Sequence, residues 1–241
     1  ITINNNCIFI LIIDIICIKF IYKVIFGSHI KMHNTIKNLL DIESKINKRA
    51  KIIAVSKTFP IDKILPLIEF GHTNFGENKV QEALEKWTKI KKMNSQIKLH
   101  MIGKLQSNKV KFAVQIFDYI HSVDSEKLAK KIANESKKLN KKIKIFIQVN
   151  IGQEEQKSGI NKNEVKKLIS YSKEVGLNVI GLMCIPPANI DTEGYFDEMN
   201  KLNQALGFTE LSMGMSSDFH IAVKYLSTYV RVGSRIFGQR S

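Results

Sequence analysis

The sequence predicts an α/β fold: a single (β/α)8 TIM barrel with one helix before its first strand. Three observations carry this prediction. Short apolar runs alternate with amphipathic stretches from Met32 onward, and there are eight such runs. The runs are near-continuously apolar, the pattern of parallel strands covered on both faces. The 241 residues also match the roughly 200–250 that one such barrel occupies.

The elements follow in order. A stretch with Ile36, Leu39, Leu40 and Ile46 at helical spacing precedes the first predicted strand, 52–55. The second strand is 73–75, followed by a helical stripe of Val80, Ala83, Leu84, Trp87 and Ile90. Strands at 97–102 and 119–123 come next, then a stripe of Leu128, Ile132 and Leu139. Strand 143–149 leads to Val165, Leu168, Ile169 and Val175, and strand 179–184 follows them. The last strands are 210–213 and 229–232, with Phe219, Ala222, Val223 and Leu226 between them. Eight strands with seven intervening helices favour a closed barrel. No helix is expected after the eighth strand, so the N-terminal helix is expected to fill that gap in the outer ring. The competing open, doubly wound sheet lacks its usual support, because no GxGxxG follows the first strand.

Composition bounds the function. Hydrophobic residues at 44% and charged residues at 24% exclude a disordered chain. Lys and Arg number 37 against 22 Asp and Glu, a net charge of +15. Nucleic-acid binding is the function class such charge raises. However, Lys137-Lys138, Lys141-Lys142 and Lys166-Lys167 fall on predicted helix exteriors or ends, without an aromatic-rich basic motif. They read as solvated faces, so no nucleic acid is expected. Three cysteines, Cys7, Cys17 and Cys184, make no disulfide framework and fit a reducing, cytoplasmic setting. No CxxC or His/Cys cluster has metal-ligand spacing, and no metal is expected.

Residues 1–31 form a separate apolar tail, and 32–241 the barrel domain. Segment 7–26 is long enough to span a bilayer, but Asp14, Lys19 and Lys23 interrupt it. It lacks the basic start and small-residue cleavage site of a secretory signal. Two readings stay open: an anchor or targeting piece, or residues outside the mature protein. A membrane partner is expected only on the first.

In such barrels the active site lies at the C-terminal ends of the strands, with phosphate often held after strands seven and eight. The first strand ends in Ser56-Lys57-Thr58. Apolar walls there lower a lysine's pKa, and a neutral amine forms a Schiff base with an aldehyde. The alternative is a solvated strand-end lysine. The seventh strand runs through LSMGMSSD, 211–218, into a helix. Its hydroxyls and backbone N–H groups suit a phosphate, although Ser216, Ser217 and Asp218 are also ordinary caps. Gly233 and Ser234, after the eighth strand, offer backbone N–H groups to the same anion. Asn78, after the second strand, suits orienting a ring substituent. Glu77 beside it is an acid or base, or a carboxylate at a helix start. His100 reads as packed within its strand, and Cys184 as buried and inert.

AVSKT at 54–58, FGEN at 75–78 with VQE at 80–82, and HMIGKLQSNK at 100–109 resemble the pyridoxal phosphate homeostasis protein family. GLMCIPP at 181–187, LSMGMSSD at 211–218 and VRVGSRIFG at 230–238 continue the match in the family's order. The resemblance covers nearly all of 33–240. It implies a fold-type III barrel like the N-terminal domain of alanine racemase, with pyridoxal 5′-phosphate as cofactor. By resemblance, Lys57 is the lysine that forms the Schiff base, and Ser216, Gly233 and Ser234 make the phosphate site. Arg231 approaches the pyridine nitrogen, Asn78 contacts the ring region, and Ser212 and Met213 line the pocket. The sequence departs from the family at Lys79, where an aromatic residue is usual, and at Met101, where phenylalanine is. It also lacks the usual tyrosine after its final arginine.

The expected function is reversible holding of pyridoxal phosphate for vitamin B6 homeostasis, with no catalytic residue and little or no turnover. Racemisation needs acids or bases on both faces of the substrate carbon, and the chain stops with the barrel, short of the second domain that supplies one in racemases. A small fold-type III amino-acid racemase is the alternative. A further rival is a class I aldolase-like barrel using Lys57 on a sugar phosphate. Apo-enzymes that use the cofactor are the expected protein partners, and the barrel is expected to be a monomer.

Overall fold

The computed structural model describes residues 32–47, 49–187 and 191–239. The apolar segment 7–26, with Cys7 and Cys17, lies outside the described residues. Eight parallel strands follow one another round a closed barrel: Lys51–Val55 (β1), Asn74–Glu77 (β2), Lys98–Met101 (β3), Tyr119–Val123 (β4), Lys144–Val149 (β5), Asn178–Cys184 (β6), Glu210–Ser212 (β7) and Tyr229–Val232 (β8). Closure is made by β8 on β1, in the register Ile53↔Arg231 and Ala54↔Val232.

Around them lie helices Asn34–Ile46 (α1), Ile61–Glu69 (α2), Val80–Met93 (α3), Val110–Ile116 (α4), Glu126–Lys138 (α5), Val165–Glu174 (α6), Glu193–Ala205 (α7), Phe219–Lys224 (α8) and Ser234–Phe237 (α9). Local chemistry accounts for their limits. Ser125 caps α5, its Oγ accepting the Leu128 N–H at 3.3 Å, and Lys137 and Lys138 meet the negative end of its dipole. Leu128, Ala129, Ile132 and Ala133 give this helix its buried face. Leu139 is not part of that face: the helix stops before it, and it is 45% exposed. Leu226 also leaves its predicted stripe. It sits past the end of α8 in a left-handed turn (φ 62°), 57% exposed.

A helix does follow β8, contrary to expectation. It is the four-residue α9, between Gly233 and a left-handed Gly238. The N-terminal helix α1 packs on α9 and α2, and Asn38 Nδ2 donates to Ile236 O at 2.9 Å. The outer ring is thus closed by two pieces from opposite ends of the chain.

Alternate strand residues face opposite ways. One set, including Ile52, Ala54, Phe75, Leu99, Ile120, Ile145, Leu182, Leu211, Val230 and Val232, packs under the helices as a single core. The other set lines the barrel interior, where Ile53, Phe146, Met183 and Tyr229 form a small apolar cluster. Branched apolar residues usually fill such interiors. Here His100, His121, Gln148, Ser212 and Arg231, all buried, share the inner face.

Candidate functional site

The Lys57 loop is held on both flanks. Ser56 donates from its N–H to Gly76 O at 3.0 Å and from its Oγ to Glu77 Oε1 at 2.7 Å. Lys86, on α3, donates to Ser56 O at 2.9 Å and lies 3.0 Å from both Glu77 Oε1 and Glu82 Oε1. Glu82 Oε1 also accepts the Thr58 N–H at 2.5 Å, which fixes Thr58 in a left-handed conformation (φ 66°). Lys57 stands half-buried between these two anchored residues.

Glu77 is neither a helix-start carboxylate nor an acid or base at the barrel mouth. It ends β2, fully buried, and its Oε1 also accepts the Trp87 Nε1–H at 2.9 Å. Burial pushes its carboxyl pKa above the ordinary value, against the pull of Lys86, Trp87 and Ser56. Its work is to join β1, β2 and α3.

The loops after β7 and β8 meet. Gly233 N–H donates to Ser216 Oγ at 3.2 Å. Gly214 turns the chain at φ 90°, where a Cβ would stand 2.6 Å from Ala222 Cβ, and its carbonyl accepts the Arg231 N–H at 2.9 Å. Asp218 Oδ1 closes the turn on the Met215 N–H at 2.6 Å. A Cβ on Gly233 would lie 3.3 Å from Val55 Cβ and O, so the β8 loop lies close against the end of β1. Ser234, the first residue of α9, is exposed at the start of that helix.

Arg231 is buried inside the barrel below these loops. Its Nη1 donates to Ser212 Oγ at 2.7 Å and its Nη2 to Cys184 O at 2.8 Å. The Cys184 thiol is pushed up to about 12 by burial, which leaves it a protonated core residue. Ser212 is fully buried with its hydroxyl already engaged, and Met213 packs in the core between barrel and helices. Asn78 is half-buried at the end of β2, and its Oδ1 is buried with no hydrogen-bond partner among the described residues.

Below Ser212 a polar row continues. Ser212 Oγ is 2.9 Å from His121 Nδ1, His121 Nε2 is 2.9 Å from His100 Nδ1, and His100 Nε2 is 3.2 Å from Asn74 Oδ1. His100 is packed as its strand position predicts, stacked on Tyr119 at 4.2 Å. His121, stacked on Phe146 at 4.3 Å, is a member that sequence reasoning missed. Burial lowers both histidine pKa values well below the ordinary one, and nearby cations add to this. Asp124, after β4, was also missed. Burial raises its carboxyl pKa against the attraction of Lys104.

Residues 30–241 match the family model described as alanine racemase, N-terminal domain. A pyridoxal phosphate homeostasis protein of Aquifex aeolicus is 37% identical over 201 residues, 79% of this chain and 87% of the relative. This chain belongs to the pyridoxal phosphate homeostasis protein family. Another member of the family, from Haemophilus influenzae, is 38% identical over 211 residues, 83% of this chain and 89% of the relative. Among solved structures, PipY of Synechococcus elongatus with PLP bound aligns at a TM-score of 0.79 and 32% identity, over 85% of this chain and 100% of that one. Alanine racemase of Clostridium difficile shares the fold at 16% identity (TM-score 0.69, 86% of this chain and 56% of that one). The family's alanine racemase-like barrel is thus found here in both sequence and structure. No described helix is long and apolar enough to cross a membrane.

Proposed function

We propose that this chain holds pyridoxal 5′-phosphate reversibly at the C-terminal mouth of the barrel and serves cofactor homeostasis as a carrier, with little or no turnover. The observation that carries this reading is the meeting of the Ser216 and Gly233 loops beside the end of β1, two residues before Lys57. The donor set fits the group. Ser216 with the backbone at Gly233 and Ser234 suits its phosphate, Arg231 its ring nitrogen, and the unpartnered Asn78 Oδ1 a polar ring substituent. Ser212 acts from behind Arg231, and Met213 contributes backbone and packing at the edge of the site. The relatives named for this role, and PipY with PLP bound, support the same assignment.

When bound, the cofactor supplies an aldehyde that a neutral lysine amine captures reversibly. The chain's own residues then favour holding over chemistry. Arg231 is a donor without acceptor capacity, so it keeps a facing ring nitrogen unprotonated and the ring a weak electron sink. His100 and His121 are engaged with each other inside the barrel rather than turned to a substrate. A monomeric, cytoplasmic barrel that loads apo-enzymes completes the proposal.

The test is the visible spectrum of the full chain with pyridoxal phosphate, before and after borohydride, with peptide mapping. The expected result is an absorbance band lost on reduction and a pyridoxyl adduct on Lys57, absent in Lys57→Ala. A chain that stays colourless and unmodified with added cofactor refutes the reading. Exchange of an amino acid's α-proton by the loaded protein would instead make it a racemase-like enzyme.

A further inference from the structure

The barrel interior carries a polar row that cofactor binding does not itself require: Asn74, His100, His121, Ser212 and Arg231, on five strands or strand ends. We propose that Asn74, His100, His121 and Ser212 form a one-way hydrogen-bond chain that positions Arg231. Its direction follows from what each end can do. At one end the Asn74 Nδ2 donates to Thr73 Oγ1 at 3.2 Å while Oδ1 faces His100 and accepts there, and at the other Arg231 can only donate to Ser212. His100 therefore carries its proton on Nε2 and accepts at Nδ1. His121 in turn donates from Nε2 and accepts at Nδ1, where the Ser212 hydroxyl donates to it. Ser212 Oγ is left as an acceptor for Arg231 Nη1.

The opposite direction fails on Ser212. Its Oγ would accept from both His121 and Arg231, and its own proton would be buried without a listener in a fully enclosed site. The cations near the histidines, Lys91, Lys51 and Arg231, oppose protonation of the rings, as does burial, so both stay neutral. A neutral pair with matched tautomers is what a one-way chain needs. No proton has to travel along it: the chain orients.

Arg231 is consequently gripped from two sides, Nη1 by Ser212 and Nη2 by the Cys184 carbonyl. This fixes the plane of the guanidinium and the direction of its remaining N–H groups. His121 and Ser212 are thus positioning residues that act through Arg231. That the guanidinium is held for a cofactor ring rests on the proposed function; the chain and its direction do not.

The decisive measurement is the long-range 1H–15N spectrum of the full chain labelled at histidine, without added cofactor, with His100→Gln and His121→Gln used for assignment. The expected result is two neutral rings at pH 7, each with its proton on Nε2. A proton on Nδ1 of either ring, or a cationic ring, overturns the chain. Ser212→Ala then tests the coupling without adding bulk. In that variant the His121 Nδ1 resonance is expected to move. With pyridoxal phosphate loaded, the pH midpoint of the visible band is expected to shift while the Lys57 adduct persists. An unmoved midpoint overturns the link to Arg231, because loss of packing alone would leave it in place. If no form of the chain takes up cofactor, the proposed function fails and the tautomers still decide the chain.

Discussion

Lys86 Nζ lies 3.0 Å from Glu77 Oε1 in a nearly enclosed ion pair, and the same ammonium donates to the carbonyl of Ser56, next to Lys57. A charge buried without its partner is far costlier than the pair. Lys86→Met therefore strands Glu77 and is expected to destabilise the fold by about 3–5 kcal/mol, the range for breaking a buried pair. Lys86→Arg keeps a charge and is expected to lose less. Denaturant unfolding of the three proteins measures both. Trapping by borohydride at Lys57 should fall in Lys86→Met even under conditions where it remains folded, because Ser56 loses an anchor.

Asn78 is set from behind by a glycine on the next strand's loop. A Cβ on Gly103 would stand 2.5 Å from Asn78 O and 2.8 Å from Asn78 Cα, contacts that backbone atoms cannot relieve by rotating. Gly103→Ala is expected to displace Asn78 and destabilise the fold by about 1–3 kcal/mol, the usual cost of overpacking. Thermal melts give the stability change. Cofactor titration should show weaker binding in Gly103→Ala than in Gly194→Ala, where the added carbon meets nothing within 4 Å.

The barrel was legible in the sequence because parallel strands buried on both faces read as apolar runs, and eight of them alternate with helical stripes. The mouth was legible because chain order alone places Lys57, Asn78, Ser216 and Gly233 after their strands. The polar interior was not, because the apolar character of a whole strand masks the alternation between its two faces. A period of two was present all the same. It sets His100 between Leu99 and Met101, His121 two after Tyr119, Gln148 two after Phe146, and Arg231 two after Tyr229. Glu77 differs for another reason: its partners Lys86 and Trp87 lie on the following helix, and although Trp87 belongs to that helix's apolar stripe, nothing in the stripe pairs an indole N–H with a carboxylate at a strand end. Helix α9, with four residues, is shorter than any window in which helical spacing can be counted.

The Ser216–Gly233 contact makes a phosphate-specific prediction. Ser216→Ala removes a hydroxyl that bridges the two loops and is proposed to face the anion. A hydrogen bond to a charged group contributes about 1.5–3 kcal/mol, which corresponds to roughly 10- to 150-fold in affinity. Weakening of that order is expected for pyridoxal phosphate. Pyridoxal, which has the aldehyde and no phosphate, should bind the variant and the parent alike. Equal losses for both ligands would place Ser216 away from the phosphate.

Acid should unfold this protein through its buried histidines. His72 is lowered to about 4, chiefly by burial, while its Nε2 lies 2.9 Å from Asn74 O; His100 and His121 are lowered further. For a base depressed in the folded state, the unfolded chain binds the extra proton once the pH falls below about 6.5. Stability is therefore full above that pH and declines as pH drops, by about 1.4 kcal/mol per unit for each histidine fully engaged. The decline from His72 ends near pH 4, and that from the other two continues lower. Glu77 and Asp124, raised by burial, act in the opposite sense, because their protonated forms are favoured in the fold. They subtract from the histidine slope wherever they titrate in the fold. Unfolding by urea between pH 6.5 and 5 is expected to show stability falling with pH, with a slope of at most three protons. His72→Gln should lower it by one. A flat profile would mean that these rings titrate in the native protein and are not held neutral by burial.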